Sequence, residues 1–225
     1  MDFTLPVSKK VVKMNPMGMK EEKILTNKKF IKNNSTIENL LLSCIESIDG
    51  EKPTERMILD LVSGDRNYLL YHLRIMSYGE LFEFDEVCPH CKQQTHYTVD
   101  LEEAIANGTI EVTNMPEGGL TKDVTMSDGS IVTVTALDGN RERRLKAKGD
   151  DITMLDVTLS MMQAINGEAI TTTAMENFIG KDLAAIRRAA KEVMCGLLPS
   201  MTLECEHCDR KHEFIVVASP SFFIQ

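Results

Sequence analysis

Several features that mark common protein classes are missing from this sequence of 225 residues. No stretch reaches the roughly 18 to 20 unbroken apolar residues that a membrane-spanning helix needs. The opening residues, MDFTLPVSKKVVKM, lack the apolar core of a signal peptide, so we expect a protein of the cytosol with reduced thiols. Tryptophan is absent, whereas the 14 methionines are typical of adaptable core packing.

Catalytic motifs are missing as well. The sequence has no glycine-rich phosphate-binding loop, no paired-histidine zinc-protease motif and no serine-hydrolase motif. Asp65 and Asp182 are the conspicuous acidic candidates, but each stands where a helix is expected to begin, and N-capping explains both. We therefore expect no enzyme, no catalytic residue and no small-molecule substrate.

Charge is unevenly distributed along the chain. Residues 1–33 contain eight lysines against three acidic residues, a local net charge of +5, and the remainder carries −14. This segment is interpreted as a basic N-terminal arm that either docks on an acidic partner or neighbouring copy, or stays mobile in solvent. The total of −9 argues against a protein whose main task is to bind the phosphates of nucleic acid.

An internal repeat is the main positive feature. Two Cys-x-x-Cys pairs lie 117 residues apart, and this offset also superimposes Asp65 on Asp182 and Gly79 on Gly196. Between Ile37 and Val99 no gap is needed, and thirteen of the 63 aligned pairs are identical. A shared structural unit is the better explanation of this agreement.

Each repeat predicts the same order of elements. A helix (Ile37–Ile48, Met154–Ile165) is followed by a second helix that starts at Asp65 or Asp182 and ends at a glycine, and then by a strand, a Cys-x-x-Cys turn and another strand. The segment from Val124 to Leu137 predicts a β-hairpin around Asp128-Gly129. We expect a mainly helical α+β fold built on an internal duplication. The predicted segments are a basic arm (1–33), a first repeat (34–100), a connector with the hairpin (101–139), a second repeat (140–218) and an apolar tail (219–225).

The paired cysteines predict a zinc site. A Cys-x-x-Cys turn between strands directs two thiolates at one ion, and a closed structural site takes four. We therefore expect one structural zinc per chain, held as a zinc ribbon by Cys88, Cys91, Cys205 and Cys208. The 113 residues between Cys91 and Cys205 exceed the usual spacing of about 15 to 20, which the intervening repeat explains.

Other uses of these cysteines stay open. Empty reduced thiols are the principal alternative to zinc. A thiol redox pair normally begins a helix, whereas strands are predicted on both sides here. Two separate zinc sites would need histidine ligands, and His96 and His212 do not align in the repeat. Cys44 and Cys195 are expected to be buried and inert.

The C-terminal tail places Phe222, Phe223 and Ile224 at an otherwise polar end. Three large apolar side chains are unfavourable in water. The tail therefore either packs on its own protein or enters the groove of a partner, and we name these three residues as candidate partner-binding residues.

Several ordered motifs resemble one known family, the T-even-like phage baseplate hub and hub-assembly proteins. They are Leu5-Pro6-Val7-Ser8, Glu21-Glu22-Lys23, Asp65-Arg66-x-Tyr68-Leu69-Leu70-x-x-Leu73-Arg74-x-x-Ser77-Tyr78-Gly79, Cys88-Pro89-x-Cys91, the helix at Asp182, the second Cys-x-x-Cys and the Pro-x-Phe-Phe ending. The family frequently has glycine after the second cysteine, where this chain has Lys92 and Asp209. This change makes the turns less ideal but removes no ligand.

The resemblance implies a non-enzymatic protein of contractile-tail assembly that contacts other baseplate hub or tail proteins. It implies the host cytoplasm as the place of assembly and the virion baseplate as a further location. The alternative is a zinc-ribbon protein that binds nucleic acid or regulates transcription. Such a ribbon should be basic, whereas Glu204, Glu206 and Asp209 outnumber Arg210 and Lys211 around the second knuckle.

Overall fold

In the computed structural model, which describes residues 1–149, 152–175 and 177–223, the first part of the chain alternates short helices and strands. In chain order these are β1 (Asp2–Thr4), β2 (Val11–Met14), α1 (Met19–Leu25), α2 (Lys28–Lys32), α3 (Thr36–Cys44), β3 (Ile45–Ile48), α4 (Glu55–Leu59), α5 (Ser63–Tyr78), β4 (Leu81–Val87) and β5 (Gln94–Asp100). A connector follows with α6 (Leu101–Ala106) and β6 (Val112–Thr113).

The later part of the chain repeats much of this order. Its elements are β7 (Thr121–Thr125), β8 (Ile131–Thr135), α7 (Gly139–Lys146), α8 (Met154–Met161), β9 (Met162–Ile165), α9 (Thr172–Met175), α10 (Gly180–Val193), β10 (Gly196–Leu197), β11 (Ser200–Glu204), β12 (Lys211–Ile215) and α11 (Pro220–Phe223). Twelve short strands accompany eleven helices in the described residues, so the fold there is mixed rather than mainly helical.

The first fourteen residues are part of the folded protein. β1 and β2 form an antiparallel hairpin, and β2 pairs on its other edge with β3. Val12 and Met14 are fully buried while Lys13 between them is exposed, as expected for a strand with one face on the core. The lysine-rich start of the chain is therefore anchored, and its charges lie on the outward faces of ordered elements.

Each repeat together with the hairpin that precedes it is called a unit from here on. The first predicted helix of each unit is shorter than expected. We predicted helices over Ile37–Ile48 and Met154–Ile165, but their last four residues form β3 and β9. β3 pairs with β2 and β9 pairs with β8. The apolar spacing fitted a helix, yet the open edge of a hairpin supplies backbone partners that local pattern does not reveal. Each unit thus gains a three-stranded sheet, β1-β2-β3 or β7-β8-β9.

The turns after these strands match in detail. Asp49 and Gly50 have φ of 52° and 83°, and Asn166 and Gly167 have φ of 52° and 79°. Two consecutive positive φ values define the tight turn that asparagine or aspartate followed by glycine favours. Asp49 Oδ1 accepts a hydrogen bond from Val11 N, and Asn166 Oδ1 accepts one from Ile131 N, each at 2.8 Å. The side chain at the corresponding position therefore holds the hairpin in both units.

Asp65 and Asp182 are not the N-cap residues that we predicted. The N-cap residues are Val62 and Ile179, and each aspartate lies in the first turn. Asp182 Oδ2 still accepts a hydrogen bond from Ile179 N at 3.0 Å and so helps to cap α10. The Asp65 carboxylate accepts hydrogen bonds from Val7 N and Ser8 N at 2.8 and 2.9 Å, and Asp182 accepts from Ser127 N at 2.9 Å. These donors lie in the hairpin turns, so each aspartate ties a long helix to the hairpin of its own unit.

Buried apolar residues form two clusters. One surrounds α3, α5 and the first hairpin, and the other lies between α10 and the sheet β7-β8-β9. Met201, Leu203 and Val216 of the last hairpin region belong to the first cluster, although they are part of the second repeat in sequence. The end of the chain therefore returns to pack on its beginning.

The two units meet along a close backbone contact and a buried charge network. A Cβ atom added at Gly64 would lie 1.8 Å from the carbonyl oxygen of Cys195, so only glycine fits there. Arg66 is 2% exposed and forms ion pairs with Glu38 of the first unit and Glu142 of α7. This arrangement holds α5 against both the start of α7 and the end of α10.

Candidate metal centre

Two β-hairpins carry the cysteine pairs. β4 and β5 pair antiparallel around Cys88–Cys91, and β11 and β12 do so around Cys205–Cys208. Cys88 N donates to Gln93 O at 2.9 Å, and Cys205 N donates to Arg210 O at 3.1 Å. The hairpins thus close each turn directly beside its first cysteine.

Each turn passes through a residue with a left-handed backbone. Lys92 has a φ of 62° and Asp209 has a φ of 54°, the region that glycine enters at least cost. These are the two positions at which the sequence lacks the expected glycine. The fold keeps the turn geometry with side chains in place, and Lys92 N and Asp209 N still donate to Cys88 O and Cys205 O.

The four cysteines of the two hairpins lie together. Their sulfur atoms are all within 4.8 Å of one another. Across the hairpins, the Sγ atoms of Cys88 and Cys208 are 3.8 Å apart, and those of Cys91 and Cys205 are 3.7 Å apart. Zn–S bonds of about 2.3 Å place the corners of a tetrahedron about 3.8 Å apart. The spacing therefore fits a tetrahedral tetrathiolate site, and no disulfide joins the described cysteines.

The local electrostatics favour a cation between these sulfur atoms. The backbone N–H groups of Cys91 and His90 help lower the pKa of the Cys88 thiol to about 6. The N–H group of Arg210 acts in the same direction on Cys208, but burial and the neighbouring thiols outweigh it and raise the pKa of Cys208 to about 12. Burial opposes ionisation of Cys205, but hydrogen bonds, the strongest of them from the backbone N–H group of His207, outweigh it and lower the pKa of that thiol. Cys88 and Cys205 therefore ionise most readily, whereas further thiolates repel them unless a cation is bound.

Contacts outside the sulfur atoms hold the hairpins together. The rings of Phe84 and Phe214 stack at 4.6 Å with an interplanar angle of 6°. His207 Nε2 lies 3.2 Å from the carbonyl oxygen of Gln94, a hydrogen bond in the Nε2–H tautomer. Thr95 Oγ1 is 3.9 Å from Cys205 Sγ. The site is therefore supported by the packing of one hairpin on the other.

Cys44, Cys195 and His96 lie outside this cluster. Burial raises the pKa of Cys44 to about 12 and that of Cys195 to about 11, so both thiols stay protonated near neutral pH. His96 lies beside Asp85 at 2.9 Å. Within the described part of the chain, the four-cysteine set is the group whose ligand atoms converge.

Comparison with known proteins identifies the family. The model of the T4 bacteriophage base plate protein family matches residues 1–224. The chain belongs to this family. No curated protein and no solved structure matches the chain significantly. The match spans nearly the whole chain, so the family assignment covers both units and both cysteine hairpins.

The described part of the C-terminal tail, residues 219–223, packs on the core of the same baseplate protein. Phe222 is 2% exposed and Phe223 is fully buried. The ring of Phe222 lies 5.0 Å from that of Tyr71, and its carbonyl oxygen accepts a hydrogen bond from Arg74 Nε at 3.2 Å. Neither ring is accessible to a partner in this conformation, because α5 and β4 already bury them. Ile224, the third candidate, lies outside the described residues.

Two arginines of the baseplate protein are buried, Arg66 and Arg74. Arg74 donates to the carbonyl oxygens of Phe222, Gly79 and Leu81. The network of Arg66, Glu38 and Glu142 was not foreseen, because its members are distant in sequence. Among the described residues, no helix is both long and apolar enough to cross a membrane.

Proposed function

We propose that this baseplate protein is a structural or assembly component of the baseplate hub and binds one structural zinc ion. The observation that supports the metal is the tetrahedral spacing of the Cys88, Cys91, Cys205 and Cys208 sulfur atoms. The family supports the setting, since a T4 base plate protein is a part of a phage tail. When bound, the ion would supply four Zn–S bonds and no open coordination position, so its role is structural rather than catalytic.

The zinc closes the chain on itself. One pair of ligands ends the first unit and the other pair stands near the C-terminus, with 113 residues between them. A cross-link over so long a segment removes much conformational freedom from the unfolded chain. The bound ion therefore holds the last hairpin on the first unit, where Met201 and Leu203 complete the core.

We also propose that the two units arose by duplication. Asp49, Gly50, Gly79 and Lys92 share their positive φ with the residues 117 positions later. β3 and β9 end at residues with the same offset, and Asp65 and Asp182 both bind a hairpin turn. The N-terminal hairpin and the β7-β8 hairpin correspond in this scheme, so each unit begins with a hairpin and ends with a cysteine knuckle.

Cross-linking mass spectrometry of purified particles and of tail-assembly intermediates tests the hub assignment. We expect this chain in the intermediates, in the particles, or in both, with cross-links to hub or tail proteins. Its presence in mature particles would make it a resident component, and its restriction to intermediates would make it an assembly factor. Absence from both, or cross-links only to proteins of the capsid or the host, would contradict the proposal.

A further inference from the structure

A groove on the second unit has no assigned role. It has a volume of about 380 Å³ and runs between α7 and α8 toward β9. Its floor is apolar and is formed by Leu145, Leu159, Met162 and Ile170. Leu155, one helical turn before Leu159, is 42% exposed and continues this apolar surface along α8. The groove therefore offers an elongated apolar strip rather than a closed pocket.

The rim of the groove is basic. Arg141, Arg144 and Lys148 line it, and α7 carries four basic residues against one acidic residue. Arg141 donates to the carbonyl oxygens of Ser160 and Met162, and Lys148 forms an ion pair with Asp156 at 2.8 Å. Arg144 is exposed and forms no ion pair with any residue that the structure describes. Arg144 is therefore the rim cation that is left for a carboxylate of a partner.

We propose that this groove binds an acidic amphipathic helix of another tail protein, an inference that rests on the proposed function. An apolar floor takes the apolar face of a helix, and a basic rim pairs with carboxylates on its flanks. In the first unit, α1 and α3 correspond to α7 and α8. There the short helix α2 contacts both α1 and α3, so this kind of helix pair accepts a third helix. None of the described residues between α7 and α8 forms a corresponding helix.

Nucleic acid and a second copy of the chain fit this surface less well. A phosphate backbone pairs with basic side chains but leaves an apolar floor without a partner. The chain has acidic helical segments of its own, such as α6, but its Leu101 and Ala104 are buried in the first core. The occupant that satisfies both the floor and the rim is an acidic, apolar-faced helix from another protein.

Fluorescence anisotropy with a designed peptide tests the proposal on the full-length protein. The probe is a labelled 18-residue helix with leucine at every third or fourth position and glutamate on both flanks. The control probe is the same peptide with lysine in place of each glutamate. We expect the acidic probe to bind at least about tenfold more tightly than the basic one, and to weaken as salt rises.

Two variants distinguish binding in the groove from non-specific electrostatic attraction of the peptide to the protein. Arg144→Glu should weaken the acidic probe about five- to tenfold, because a favourable charge pair becomes a repulsive one. Arg187→Glu is the matched control, since it makes the same charge change on an exposed position of α10 and should leave binding unchanged.

Equal loss in both variants, or equal binding of the two probes, would overturn the proposal. So would tight binding of a single-stranded oligonucleotide that displaces the acidic probe, or self-association that Arg144→Glu abolishes. The peptide test uses purified protein alone, so its failure leaves the particle experiment untouched. A chain absent from particles and intermediates would instead contradict the hub assignment.

Discussion

At the scale of single residues, burial changes the chemistry of side chains that the sequence presents as ordinary. His72 lies between the rings of Phe3 and Tyr68, with centroids at 4.9 and 4.3 Å. Its Nε2 atom is buried without a hydrogen-bond partner in the described structure. Burial lowers the pKa of His72 to about 4, so the ring stays neutral when the protein is folded.

This histidine should make the protein less stable in mild acid. The unfolded chain takes up a proton at a pKa of about 6.5, whereas the folded protein does so only near 4. The free energy of unfolding is therefore unaffected by this histidine above pH 6.5. It decreases as the pH falls toward 4, by at most about 3 kcal/mol. Urea unfolding at pH 7 and pH 5 measures this loss.

His72→Phe provides the control for this effect. The variant keeps the aromatic contacts but cannot bind a proton, so the loss of stability between pH 7 and pH 5 should shrink. An equal loss in the variant and the original protein would show that other groups cause the acid sensitivity.

A second residue-scale prediction concerns the buried pair of Arg66 and Glu38. Arg66→Leu leaves the Glu38 carboxylate buried without its main partner, which should cost about 3–5 kcal/mol. The positions 117 residues later carry an exposed leucine, Leu155, and a partly buried one, Leu183. Replacing both members of a buried ion pair by apolar side chains leaves no buried charge without a partner. The double variant Glu38→Leu with Arg66→Leu should therefore be more stable than Arg66→Leu alone, measured by chemical unfolding. A double variant whose loss in free energy of unfolding equals the sum of the losses in the two single variants would contradict this reasoning.

At the scale of elements, contact between α5 and the end of α10 depends on one glycine. The carbonyl oxygen of Cys195 occupies the space that a side chain at Gly64 would need. Gly64→Ala should separate these backbones and cost about 2–3 kcal/mol. Gly180→Ala is the matched control, because Gly180 also lies at a helix start and no neighbour lies within 4 Å of its added Cβ. Similar melting temperatures for the two variants would contradict the close contact.

The sequence predicted elements well where the signal is local. The second helix of the first repeat ends at Gly79 as expected, and Asp128-Gly129 forms the turn of the β7-β8 hairpin. It failed at Ile45–Ile48 and Met162–Ile165, where pairing with a distant hairpin overrides helical spacing. The sequence also placed Asp65 and Asp182 at the N-cap, whereas both lie in the first turn and accept hydrogen bonds from a distant hairpin turn. Asp182 still contributes to the cap of α10 through Ile179 N.

At the scale of the whole molecule, the repeat offset predicted which cysteines come together. The spacing could not reveal that the last hairpin packs on the first core, or that Phe222 and Phe223 are covered by it. Those arrangements depend on contacts between residues more than 100 positions apart, for which a single sequence carries no direct signal. Metal, core packing and the Gly64 contact together connect the two units.

The most direct test is the zinc content of the purified full-length protein, measured by native mass spectrometry without exposure to chelators. We predict one zinc per chain. Cys205→Ser should lose the ion and aggregate, whereas Cys195→Ala, which removes a buried thiol outside the cluster, should retain it. Because Cys205→Ser is expected to aggregate, a chelator titration of the unmodified protein gives a second readout, in which zinc release should accompany a loss of stability. A stoichiometry of zero or two, or full stability after zinc removal, would contradict the single site that joins the two units.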